Sequence, residues 1–165
     1  MDEPQTLAHP MSGRSWTRSR NQDEIDTIEH RLRNNIFRAS AKVYLRTMLP
    51  ENLLGRGPGI DGALAEMIEV LQDVLKQPLN GSVLGSAVFG VCLSGCHTDD
   101  PAQRAFLLHV LEMQQEEPVG SIREISRLLQ QVWQRRDHDK ELGRSTPVNW
   151  CAIMREGHND AIFPV

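Results

Sequence analysis

From Gln77 to Thr98 no residue carries a formal charge, and the inner part, SVLGSAVFGVCLSGC, is apolar or small at every position. A strand is disfavoured there, because the glycines and serines break any strict alternation of apolar and polar positions. As a helix the segment has no polar face, so neighbours must cover it on most sides. Its apolar part, about fifteen residues cut by Gly and Ser, is shorter than the ~20 needed to span a bilayer. The rest of the chain is therefore expected to wrap this segment. Ser82, Ser86, Gly90 and Ser94 recur every four residues along it, a stripe of small side chains that admits a closely approaching backbone.

The wrapping material reads as helices. Residues 1–21 are polar, interrupted by Pro4, Pro10 and Gly13, and without a period; they are expected to be a disordered N-terminal segment. From Asp23 to Leu49 the positions Ile25, Ile28, Leu32, Ile36, Ala39, Val43 and Met48 fall at helical spacing, and Pro50 follows. The glycine-rich ENLLGRGPGI is a connection. A second helix is expected from residue 60 or 61 to 76, with Leu64, Met67, Ile68, Leu71, Val74 and Leu75 on one face, and the third is the uncharged segment from Ser82 to about Cys96. Asp100, Pro101 and Gln103 have the form of a capping box with proline at the first helical position, which starts a fourth helix carrying Phe106, Leu107, Val110, Leu111 and Met113 to near Glu117. Ser121 with Glu124 repeats the box ahead of Ile122, Ile125, Leu128, Leu129, Val132 and Trp133, as far as residues 135–137. HDKELGRS reads as a charged loop. Thr146 and Pro147 open a last short helix that Gly157 stops. The expected fold is all-α, with about six helices packed as consecutive antiparallel hairpins. The 165 residues suit one domain, placed at 22–165.

Little in the chain points to chemistry. Three cysteines are an odd number, and the acidic start has no signal-like apolar region, so reduced thiols rather than a disulfide framework are expected. Cys92 and Cys96 lie one helical turn apart and could share a ligand, but a structural zinc needs four donors and neither a second Cys pair nor an H-x3-5-H spacing is present. Buried apolar cysteines are the simpler reading. His97 as a base for Cys96 lacks any identifiable orienting group. Asp99 and Asp100 are adjacent and Asp100 is a cap; Asp137, His138 and Asp139 look like a charged loop at a helix end; Arg104 looks like an ion-pair residue rather than an anion clamp. No Walker loop, GxGxxG, GxSxG or HExxH occurs. Residues 1–46 hold eight Lys or Arg against six Asp or Glu, and the remainder ten against sixteen, which makes the larger part a poor phosphate-backbone surface.

The run LSGCHTDDPAQRAFLLHVLEMQQEEPVGSIREISRLLQQVWQRRD, followed by VNWCAIMREG, resembles the second class of fungal-specific transcription factor regulatory domain. Ser94, Gly95, Cys96, Arg104, Val132, Trp133, Arg136, Asp137, Trp150, Met154 and Gly157 stand at the family's motif places, and His97 replaces a more usual acidic residue. The resemblance extends over residues 24–163 and corresponds to the C-terminal portion of a usually longer domain. It implies a helical regulatory module of a nuclear zinc-cluster regulator in which Gly95, Cys96, Arg104, Trp133, Arg136, Asp137, Trp150 and Met154 are structural. It also implies no enzymatic step and no cofactor in this chain, since zinc belongs to an N-terminal six-cysteine cluster that these residues do not include. Expected partners are proteins or a second copy, with room for a small-molecule effector, DNA only through such a cluster, and no membrane. The alternative reading is a helical protein-interaction adaptor unrelated to transcription.

Overall fold

The computed structural model of the chain describes residues 14–49, 59–77, 82–114, 120–144 and 152. Among them are six α-helices and no strand: α1 (Arg14–Met48), α2 (Ile60–Leu75), α3 (Ser82–Gly85), α4 (Val88–His97), α5 (Pro101–Glu112) and α6 (Gly120–Glu141). The all-α expectation holds.

α4 is the uncharged segment, and it is covered as its composition requires: every residue from Gly90 to Cys96 is buried, and the helix packs against α1, α2, α5 and α6. α1 and α2 run antiparallel. Lys42 Nζ meets Glu66 Oε1 at 2.6 Å near one end of the pair, while Arg31 and Asn35 share a groove with Asp73 and Lys76 near the other. α5 turns back after the three residues 98–100, and α6 returns alongside α4, so that Gly95 faces Leu129 and the N-terminal turn of α5 meets the end of α6 at Arg104 and Asp137.

One core joins these elements. It takes Leu32, Ile36, Ala39 and Val43 from α1, Leu64, Met67, Leu71 and Val74 from α2, Leu107, Val110 and Leu111 from α5, and all six apolar positions expected of α6. The period-based assignments fail at the ends, where Ile25, Met48 and Met113 are exposed. Ser40 is buried among the α1 positions, and its hydroxyl is satisfied by donating to Ile36 O at 2.8 Å. Within the small-residue stripe the close approach falls at Gly90, where a Cβ would sit 2.5 Å from Met67 Cε and overlap Ser40 Oγ, whereas Ser86 is exposed in the turn between α3 and α4.

Five boundaries differ from expectation. α5 ends at Glu112, ahead of the expected stop near Glu117, and Gln114 N donates to Leu111 O in the turn that follows. α1 begins at Arg14, so residues 14–21 are helical rather than part of a disordered segment; no Gly or Pro interrupts the chain between Gly13 and Pro50. The expected third helix is two. Ser86 N donates to Val83 O and Ala87 N to Leu84 O, short-range bonds that interrupt the i to i−4 ladder beside Gly85. α6 starts at Gly120, one residue ahead of the expected cap, and runs through the supposed loop to Glu141. It ends at Gly143, whose φ of 67° lets Gly143 N donate to Lys140 O and Arg144 N to Asp139 O, a Schellman closure. Residues 1–13 and the expected last helix, with Trp150, Met154 and Gly157, lie outside the described residues apart from Ala152, which is helical. None of the described helices is long and apolar enough to cross a membrane.

Candidate functional site

A helix that ends inside a protein leaves its last carbonyls in need of donors. α4 ends this way, at the glycine–cysteine–histidine junction. Ser94 O accepts from Thr98 N at 2.9 Å within the chain's own turn. The next two carbonyls are satisfied by α6: Trp133 Nε1 donates to Gly95 O at 2.7 Å, and Arg136 Nη1 donates to Cys96 O at 2.7 Å. Positive charge at a helix C-terminus is also favourable to the helix dipole. This approach depends on Gly95, since a Cβ at that position would lie 2.6 Å from Leu129 Cδ2.

The start of α5 is tied into the same joint. Asp100 Oδ1 accepts from Ala102 N at 2.9 Å, with Pro101 in the first turn, as the cap signature predicts. The capping box closes differently from expectation: Asp100 N donates to Thr98 Oγ1, and Thr98 Oγ1 donates to Gln103 Oε1 at 2.6 Å, so the buried threonine relays what a direct Gln103 contact would supply. Arg104 Nε donates to Thr98 O at 3.3 Å, and Arg104 Nη1 contacts both Asp137 oxygens at 3.0 and 2.8 Å. Its guanidinium carbon lies 5.4 Å from the Trp133 ring centroid. Asp99 receives Arg136 Nη2 and Lys140 Nζ, each at 3.1 Å, and Arg104 Nη2 at 3.4 Å.

Electrostatics follow from this packing. The Arg104 hydrogen bond holds the Asp137 carboxyl below its ordinary range, opposed by partial desolvation and helped by the charges of Arg104, Lys140 and Arg136. Burial pushes the His97 imidazole below its ordinary value, and the Arg136 charge adds to the shift. His97 Nε2 is buried with no hydrogen-bond partner among the described residues. Cys92 and Cys96 are buried and not disulfide-linked, and no three His, Cys, Asp or Glu side chains group around a common point among the described residues.

Of the residues singled out in the sequence, the structure brings Gly95, Cys96, Arg104, Trp133, Arg136 and Asp137 into one joint. Trp150 and Met154 lie outside the described residues. Helical spacing marked Leu129 as core without showing that it packs on Gly95, and sequence reasoning overlooked Thr98 and Lys140. Thr98 could have been suspected as a hydroxyl two residues ahead of a cap, whereas nothing local marks Lys140. The arrangement bonds three helix ends together through polar groups that range from buried to exposed, with His97 at its edge.

The fungal specific transcription factor domain model matches residues 6–163, reaching back beyond residue 24, where the resemblance read from the sequence begins. No curated protein and no solved structure matches the chain. With nearly its whole length matched by that model and its motif residues gathered where α4, α5 and α6 meet, the chain belongs to the fungal specific transcription factor domain family.

Proposed function

We propose that the chain is a helical regulatory module of a fungal zinc-cluster transcription factor, acting in the nucleus through protein contacts, with no catalytic step and no zinc of its own. One observation carries the reading: Gly95, Arg104, Trp133, Arg136 and Asp137 are engaged in holding α4, α5 and α6 together, which suits structural positions of a regulatory fold. The Cys96 side chain is only 2% exposed, which favours packing over nucleophilic attack. A groove of about 350 Å³ between α1 and α2, with Arg31, Asp73 and Lys76 at its rim, offers charges of both signs to a small polar effector.

The test is a reporter assay in a fungal cell, with the full chain fused to a heterologous DNA-binding domain. A change in reporter output relative to the DNA-binding domain alone is expected. Unchanged output, with the fusion present in the nucleus, removes the transcription reading in favour of an adaptor unrelated to it. The chain alone is expected to purify without stoichiometric zinc and to show no nanomolar, sequence-selective binding to duplex DNA at physiological salt.

A further inference from the structure

α1 carries two apolar seams with the same spacing. Leu32, Ile36, Ala39 and Val43, separated by four, three and four residues, are buried in the core. Phe37, Ala41, Tyr44 and Met48 repeat that four-three-four pattern five residues further on, which turns them about 140° around the helix from the first seam. This second seam faces outward: Phe37 is 76% exposed and Met48 60%, the bordering Leu45 is exposed, and Tyr44, half-exposed, sets its ring beside the half-exposed Phe89 of α4 with centroids 6.2 Å apart, which widens the apolar patch. A four-three-four spacing is the register by which one helix receives another, with the small Ala41 leaving room for a close crossing. The seam spans about 16 Å of helix.

Charge decides what kind of helix fits. The chain as a whole is at −4, yet residues 30–49 contain five Lys or Arg and no Asp or Glu. Arg33 is paired with Glu29 and Lys42 with Glu66, while Arg31, Arg38 and Arg46 have no acidic partner among the described residues. Arg38 stands one position after the seam's phase, on its border, where charges select the partner, and Arg31 continues that border one heptad earlier, where α1 meets the groove with α2. A second copy would bring the same arginine-bearing border and no acidic residue between 30 and 49, so it offers no complementary charge.

We infer that the outward seam of α1, built by Phe37, Ala41, Tyr44 and Met48 beside Arg31 and Arg38, docks an acidic amphipathic helix of a partner protein. The inference deepens the protein-contact part of the proposed function and rests on it. It is tested with the full chain and two synthetic 18-residue helices, alike in carrying Leu at the seam positions and differing in having Glu or Lys at every bordering position. Fluorescence anisotropy is expected to show the Glu peptide binding at least about tenfold more tightly than the Lys peptide, with the gap closing as salt rises. Phe37→Ser, at a largely exposed position, should keep the helical circular dichroism and lose about tenfold or more in affinity, and Arg38→Glu should shift preference toward the Lys peptide. Equal binding of both peptides, binding of neither, or a dimer in sedimentation that Phe37→Ser dissolves would each overturn the inference. A chain that alters the reporter but ignores both peptides removes the seam alone; one that binds the Glu peptide but leaves the reporter unchanged removes the transcription reading alone.

Discussion

Single side chains at the α4 terminus make sharply different contributions. Trp133→Phe keeps most of the ring volume but removes the donor to Gly95 O, stranding a buried carbonyl. Its expected cost is about 1–3 kcal/mol, read as a lower urea midpoint with an unchanged slope. His97 behaves in the opposite sense to a histidine that gains an acidic partner. Its folded value lies below the ordinary 6.5, so below that pH the unfolded chain binds more protons than the folded one and stability falls on acidification. The contribution is complete above 6.5 and is lost as the pH falls through the lowered folded value. Asp137 acts in the same direction in a lower window, below its ordinary 3.8. Urea midpoints measured from pH 7.5 to 5 should decline for the natural chain and flatten in His97→Gln; equal slopes would show that His97 is not responsible. Resemblance, rather than spacing, pointed to these residues. Contacts made across 38 and 40 positions leave no periodic trace, and a tryptophan at helical spacing reads only as core.

At the scale of elements, period and punctuation were informative wherever a helix has one wet and one dry face. The core positions of α2 and α6 and the Asp100 cap could be read directly from the chain. Extent was less legible where solvent rather than packing decides, because a charged turn such as residues 138–141 is as compatible with helix as with loop. There His138 and Lys140 favour the helical C-terminus. The break between α3 and α4 was hidden for a different reason: its residues are small and uncharged like those on either side, so no change of pattern marks it. Two glycines from the same stretch should separate the causes. At Gly85 an added Cβ meets nothing within 4 Å, and Gly85→Ala is expected to stabilise by about 0.4–1 kcal/mol through the unfolded state. Gly90→Ala meets Ser40 and Met67 and is expected to cost about 1–3 kcal/mol. Thermal unfolding of the two variants should move in opposite directions.

Across the whole molecule, α4 is shared by both sides of the core, packed against α1 and α2 as well as against α5 and α6. Unfolding followed by far-ultraviolet circular dichroism and by tryptophan fluorescence should therefore coincide, and Met67→Ala on one side and Leu129→Ala on the other should lower the same single midpoint; two separated transitions would show that the sides unfold independently. The finishing of α4 also has a consequence during synthesis. The guanidinium that answers Cys96 O lies 40 residues downstream. At roughly 5–20 residues per second, the ribosome adds Arg136 about 2–8 s after Cys96. For that interval α4 has α1 and α2 to pack on but no donor for its last carbonyls, so its C-terminus is finished only when α6 has been made.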